Sequence, residues 1–411
     1  MLDGSSITLI VSGSISAYKS AYLLRELVKK SVNVRVVMTK SACEFITPLT
    51  MQTLSNSPVT TSMFDYAQEA AIGHIDLADN TDLILVAPAS ASIIAKAAHG
   101  IADDIATSIL LASKAKKVFV PAMNVNMWEN SITKENVETL RRHGMVVIEP
   151  DSGDLACGWI GAGRFPESDR IIAELEFHFS TKELSGSRVI VTAGPTLEPI
   201  DPIRYVSNRS TGKMGYALAQ VARAKDAKVH LVSGPSSLKI PSGVTFHQVE
   251  TAQQMHDLVF SLANTNDQPA AKSKQLIFMA AAVTDHRPRD ASTTKVKQDK
   301  SKAYKLELEP CPDILKALGK ARLEIEKSSG RALKLIGFNA ETGSEEELLV
   351  WAKEKLQNKD VDLMVGNLAE DSFGKDTNRV WLLDRQGRQE EVAMTEKNFV
   401  AAKIIKAVLS A

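Results

Sequence analysis

Residues 7–30 read ITLIVSGSISAYKSAYLLRELVKK. Positions 7–12 are a short apolar run that closes on Gly13. From 17 to 30, Tyr18, Tyr22, Leu23, Leu27 and Val28 recur at helical spacing. A continuously apolar strand that turns through glycine into a helix is the opening unit of a parallel sheet covered on both faces. The pattern repeats outward. Residues 32–38 (VNVRVVM), 82–87 (DLILVA) and 117–120 (KVFV) predict further strands, and 92–98, 105–113 and 134–143 predict helices. In such sheets ligands bind beyond the carboxyl ends of the strands, so the loops there are where chemistry is expected.

A helix is expected at 167–179, followed by the small, polar stretch 181–187 (TKELSGS), read as a linker. The pattern then restarts. Strands are expected at 189–192, 229–232, 276–279, 335–338 and 362–365, with helices at 216–224, 252–262 and 345–357. This makes a second parallel α/β domain. The expected division is 1–180, a linker at 181–187, and 188–411. A chain of 411 residues accommodates two or three domains at roughly 150 residues each. Residues 289–304 interrupt the second pattern with a polar, lysine-rich segment, either a disordered insertion or a loop that closes on an anion.

Composition excludes several classes. Lys and Arg total 49 and Asp and Glu total 49, so neither a general nucleic-acid binder nor a polybasic membrane binder is expected. No apolar stretch approaches the roughly 18 residues of a membrane-spanning helix. The N-terminal MLDGSSITLIVSGS has no basic lead before its strand-like run, unlike a secretory signal. Three scattered cysteines, Cys43, Cys157 and Cys311, form neither a disulfide framework nor a zinc site. The expected compartment is the cytoplasm.

Individual motifs are ambiguous. SGSISAYK at 12–19 offers small residues and hydroxyls at a helix start, where a phosphate is favoured, but a ligand-free turn is as good a reading. STGKMG at 210–215 resembles half of a phosphate-binding loop. It lacks the earlier glycine (Ser207 stands there) and the hydroxyl after the lysine (Met214), so a P-loop nucleotidase is rejected. An anion site remains open there. His74 reads as a core or capping histidine, Asn124 as a turn former, and Cys157, among glycines, equally as a small apolar residue or a reactive thiol.

Together the segments are far more specific. SGSISAYK, HIDL at 74–77, APAS at 87–90, AHGIADD at 98–104, PAMNVNMW at 121–128 and LACG at 155–158 occur in order, followed by TAGPTLEPIDPIRYVSNRSTGKMG from 192, AAAVTDHRP from 280, GFNAET from 337 and FGKDTN from 373. The whole chain resembles the bifunctional bacterial proteins of coenzyme A biosynthesis, in which phosphopantothenoylcysteine decarboxylase is fused to phosphopantothenate–cysteine ligase. The resemblance implies a flavodoxin-like N-terminal domain and a Rossmann-like C-terminal one. It implies CTP-dependent condensation of 4'-phosphopantothenate with cysteine through an acyl-cytidylate. FMN-dependent decarboxylation of 4'-phosphopantothenoylcysteine to 4'-phosphopantetheine would follow. By the same resemblance, Gly13, Ser14 and Ile15 cradle the FMN phosphate, with Thr39, Ser90 and Ser108 nearby. His74 and Asn124 match a catalytic histidine and the asparagine that meets the substrate carboxylate, and Cys157 matches the thiol of a covering flap. Asn208 matches the asparagine tied to acyl-cytidylate turnover, and Arg204 is its neighbour. Met279, Ala280, Ala281, Asp285, Lys295, Pro312, Asp313, Ile314, Leu315, Phe338, Lys355 and Lys359 match positions that hold CTP, with Mg²⁺ as its counter-ion through ligands that the resemblance does not name. Trimeric flavin domains and dimeric ligase domains, combining as a possible dodecamer, are implied as well. One departure stands out: Pro310-Cys311-Pro312-Asp313-Ile314 replaces the Lys-Asn-Pro-Asp-Ile common in the family.

The chemistry requires such groups. A cysteine-derived carboxylate has no electron sink, so direct loss of CO₂ leaves an unstabilised carbanion. Oxidised FMN can take two electrons from the thiol-bearing carbon, and the charge then spreads onto sulfur. Two other classes fit less well. A flavin-binding regulatory protein without catalysis is disfavoured by the joint presence of His74, Asn124, Cys157 and a full second half. A nicotinamide oxidoreductase is disfavoured by the lack of GxGxxG in both halves.

Overall fold

The computed structural model describes residues 2–63, 74–154, 158–267, 273–297, 304–372 and 374–410. The side chain of His74 and all of Cys157 lie outside that description. The chain divides into two compact units, Met1–Phe179 and Ser180–Ala411. The stretch expected as a linker falls inside the second unit, where Leu184 is fully buried in the core.

The first unit is a parallel sheet of β1 (Ser6–Val11), β2 (Asn33–Met38), β3 (Val59–Thr60), β4 (Leu83–Ala89), β5 (Lys116–Pro121) and β6 (Val146–Val147). The order is β3-β2-β1-β4-β5-β6. With the two-residue edge strand β3 set aside, this is the flavodoxin arrangement, in which chain order reverses between β1 and β4. β4 is buried at every position, so its apolar run needs no polar face. One core layer packs under helices Ala17–Lys29 and Ser168–Phe179, the other under Ala91–His99, Ile105–Ala112 and Ser131–Arg142. A hairpin of β7 (Asp151–Asp154) and β8 (Ile160–Arg164), which the sequence pattern did not reveal, follows.

The second unit has β9 (Arg188–Ala193), a small pair of β10 (Glu198–Pro199) and β11 (Tyr205–Val206), then β12 (Lys228–Ser233), β13 (Thr245–Gln248) and β14 (Lys274–Met279). Another small pair, β15 (His286–Pro288) and β16 (Leu308–Pro310), precedes β17 (Ala332–Glu341), β18 (Leu363–Leu368), β19 (Thr377–Asp384) and β20 (Gln389–Glu396). The main sheet runs β13-β12-β9-β14-β17-β18-β19-β20 and reverses between β9 and β14. The sequence predicts a parallel sheet, and the end of this one departs from that. β18, β19 and β20 pair antiparallel, because a two-stranded turn needs no crossover helix. Helix Lys397–Ser410 closes the unit against helix Lys213–Ala224.

Candidate active sites at two switch points

Chain order reverses between β1 and β4, the place where open α/β sheets bind ligands, and the loop 12–16 follows β1 there. Ser12 Oγ donates to Pro88 O at 2.8 Å and accepts from Ser90 N at 2.9 Å, tying the loops after β1 and β4 together. Ser14 Oγ donates to Ala122 O at 3.3 Å, reaching the end of β5. Gly13 is required by close approach: a Cβ there would lie 2.5 Å from Ser41 Cβ. Helix Ala17–Lys29 starts at Ser16 with no side-chain cap and no acid in its first turn, so the positive end of its dipole carries no built-in anion. Thr39 Oγ1 accepts from Ala42 N at 3.2 Å, and Ser90 caps the helix Ala91–His99. Ser108 is half-buried on helix Ile105–Ala112. Ile15 is exposed. Small residues, hydroxyls and an uncapped helix start suit a phosphate monoester, so this donor set fits the phosphate of FMN.

Asn124 caps the short helix Val125–Glu129 through a bond to Asn126 N at 2.8 Å. The hairpin of β7 and β8 packs against this loop. Met123 N donates to Gly163 O at 3.1 Å, and a Cβ at Gly163 would lie 2.3 Å from Met123 O. The base of the hairpin is therefore locked to the Asn124 loop. His74 opens the helix His74–Asp79.

The second switch point carries a cavity of about 380 Å³. It is lined by the helix start Ser210–Met214, by residues 279–285 after β14, by 311–315, and by Phe338, Asn339, Lys355 and Lys359. Of the residues expected at the nucleotide, Met279, Ala280, Ala281, Asp285, Pro312, Asp313, Ile314, Leu315, Phe338, Lys355 and Lys359 all line it. Lys359 Nζ lies 3.1 Å from Asp313, whose carboxylate also caps helix Ile314–Lys320. Lys355 bonds Asn339 and pairs with Glu341 at 3.0 Å. Helix Lys213–Ala224 starts at Gly212, again without a side-chain cap or an early acid. Cys311 is half-buried in the lining. Burial and the nearby Glu198 carboxylate push its thiol up.

Three expected residues lie outside the lining. Asn208 donates to Ala282 O and accepts from Ser210 N at 3.0 Å, so it braces the wall from behind. Arg204 donates to Asp201 Oδ2 at 3.0 Å and to Val296 O at 3.0 Å. Arg204, together with the backbone N–H groups of Ile203, Arg204 and Val296, holds the Asp201 carboxyl far below the usual range. This clasp fastens the segment next to Lys295, which is itself exposed. Sequence reasoning missed Asn339, Asn367, Asn378 and Lys397 in the lining. The last two lie on the antiparallel strand and closing helix that the pattern did not predict.

The comparisons with known proteins match this two-part arrangement. Residues 1–179 match the family model described as Flavoprotein, and 184–411 match that of the DNA/pantothenate metabolism flavoprotein C-terminal domain. The coenzyme A biosynthesis bifunctional protein CoaBC of Bacillus subtilis is 40% identical over 99% of this chain and 97% of its own. That of Vibrio vulnificus is 40% identical over 99% and 98%. The chain belongs to this bifunctional family. It is a coenzyme A biosynthesis enzyme with phosphopantothenoylcysteine decarboxylase and phosphopantothenate–cysteine ligase activities. Among solved structures, a C-terminal domain of CoaBC is 35% identical, covering 56% of this chain and 97% of that one, with TM-score 0.44. No helix among the described residues is long and apolar enough to cross a membrane.

Proposed function

We propose that the second unit activates 4'-phosphopantothenate with CTP and joins it to cysteine, and that the first unit decarboxylates the product with FMN. The observation that carries the ligase reading is the convergence of eleven of the twelve residues expected at the nucleotide on one cavity at the sheet's switch point. A carboxylate resists attack until one oxygen becomes a leaving group. Transfer to the α-phosphate of CTP makes the acyl-cytidylate and releases pyrophosphate. The amine of cysteine then forms the C–N bond as the acyl C–O bond breaks and CMP departs. Lys355, Lys359 and the uncapped start of helix Lys213–Ala224 offset phosphate charge. Mg²⁺ arrives with the triphosphate, which supplies ligands of its own. Asn208 and Arg204 act as braces of the wall and of the segment that carries Lys295.

In the first unit, bound FMN supplies a two-electron acceptor beside the substrate thiol. Gly13, Ser14 and Ile15 hold its phosphate, with Thr39, Ser90 and Ser108 nearby. Asn124 donates to the departing carboxylate, His74 orients the substrate or moves a proton, and Cys157 protonates carbon. The reading includes a cytoplasmic homo-oligomer with trimeric flavin units and dimeric ligase units. Four trimers sharing six dimer contacts would close as a dodecamer.

The test is one incubation with phosphopantothenate, cysteine, CTP and Mg²⁺, followed by mass analysis. Phosphopantetheine, CMP and CO₂ are expected. Equal turnover with ATP overturns the nucleotide assignment. Accumulation of phosphopantothenoylcysteine by flavin-loaded protein overturns the decarboxylase assignment.

A further inference from the structure

Part of the ligase cavity is lined by side chains that the nucleotide reading leaves unused. Lys213 and Lys397 each open one of two helices that pack on one another, Lys213–Ala224 and Lys397–Ser410. Asn378 lies beside them on β19, with Nδ2 3.9 Å from Met214 Sδ. All three line the cavity. Lys397 is 7% exposed. It donates to Ser372 O at 2.9 Å and to Lys375 O, and no carboxylate lies within ion-pair distance of it among the described residues. Burial, and then the neighbouring Lys213, hold its ammonium down to about 8. Lys213 donates to Gly374 O at 3.0 Å and to Asp376 at 2.7 Å, but the Asp376 side chain is 88% exposed and neutralises little. Asn378 is 3% exposed, and its Oδ1 is buried with no hydrogen-bond partner among the described residues.

A buried ammonium with a proton to spare calls for an anionic group, and a buried orphan carbonyl calls for a donor close by. A phosphate dianion satisfies the first and offers nothing to the second. An α-amino acid carries both groups on one carbon. Of the three co-substrates, cysteine is the one that carries a carboxylate and an amine on the same carbon. We propose that Lys397, Lys213 and Asn378 form the cysteine subsite of the ligase, with the carboxylate on the two lysines and the amine nitrogen donating to Asn378 Oδ1. This rests on the ligase reading above and adds the position of its third substrate. Held so, the amine keeps its lone pair for the acyl carbon, while Oδ1 fixes its orientation.

The experiment uses the full chain and two variants, Asn378→Leu and Lys397→Met. Two readouts separate the half-reactions: the pyrophosphate burst with CTP, Mg²⁺ and phosphopantothenate in the absence of cysteine, and the KM for cysteine in amide formation. Expected are a retained burst in both variants and a KM for cysteine raised roughly 10- to 100-fold in Lys397→Met, the range for a lost hydrogen bond to a charged group, and roughly 2- to 10-fold in Asn378→Leu, the range for a neutral one. Cysteamine, which lacks the carboxylate, gives a second arm. The preference of the unaltered protein for cysteine over cysteamine is expected to collapse in Lys397→Met and to persist in Asn378→Leu. A burst lost in step with amide formation places a phosphate there instead, and an unchanged KM for cysteine in Asn378→Leu empties the subsite. Either result overturns the proposal. No burst from the unaltered protein with CTP would fell the nucleotide reading, and the cysteine subsite with it.

Discussion

Asp267→Asn separates the stability of the second unit from its chemistry. Asp267 sits at the end of the sheet away from the cavity, beside the first residue of β9. Arg188 NH2 lies 2.7 Å from its carboxylate, Arg331 NH1 2.8 Å and Lys228 Nζ 3.2 Å. The two arginine side chains are only 2% and 5% exposed, so they depend on this one anion. Arg188 also donates to Leu262 O, Thr265 O and Gln275 Oε1, which soften its loss, whereas Arg331 has Asp267 as its acid. At an effective dielectric near 20, one such pair is worth about 6 kcal/mol before desolvation. Removing one partner of a buried pair costs about 3–5 kcal/mol net, and the 24% exposure of Asp267 favours the lower end. A loss of about 3 kcal/mol lowers the melting temperature of a unit this size by roughly 6–12 °C. Calorimetry on the full chain follows the transition of the second unit, with the flavin signal reporting the first. The pH dependence gives a second check. Burial alone would raise the Asp267 carboxyl, but the arginines and Lys228 outweigh it and hold the group down to about 2. A depressed acid stabilises above its unfolded value of about 3.9 and loses that contribution as pH falls through its folded value. The difference between variant and parent must therefore be full near pH 5 and shrink toward pH 2. A melting temperature within 2 °C of the parent at pH 7 would refute the reasoning.

Other perturbations test the first unit. Gly13→Ala places a methyl 2.5 Å from Ser41 Cβ, so the loop must move. Expected is at least a tenfold loss of flavin affinity, about 1.4 kcal/mol and within the overpacking range, read by flavin fluorescence on dialysis. His74→Asn should keep bound flavin and lose CO₂ release by about 10²–10⁴-fold, measured by gas evolution; colourless protein would make His74 structural. Cys157→Ser should still release CO₂ but stop at an oxidised, unsaturated product, seen by mass as two hydrogens short of phosphopantetheine.

The residues of a strand–turn–helix unit lie next to one another in the chain, and they were legible for that reason. The apolar runs at 7–12 and 82–87 and the helical spacing at 17–30 foretold β1, β4 and helix Ala17–Lys29 to within a residue or two. The antiparallel edge was not legible. β20 reads QEEVAMTE, with one buried position among mostly exposed ones, so its apolar signal is weak. The hairpin of β7 and β8 is glycine-rich and similarly faint.

Motif residues were nameable in advance, because local loops carry their own chemistry. Tertiary structure alone decided which of them meet. Asp285, Asp313 and Lys359 are far apart in sequence and share one cavity, while Arg204 turns instead to Asp201 and Val296. Lys397 looks like any lysine opening an amphipathic helix. Its burial beside Lys213 and Asn378 arises only when the last helix packs across the sheet, since burial and the loss of water around a charge are properties of the folded surroundings, with no trace in the order of residues.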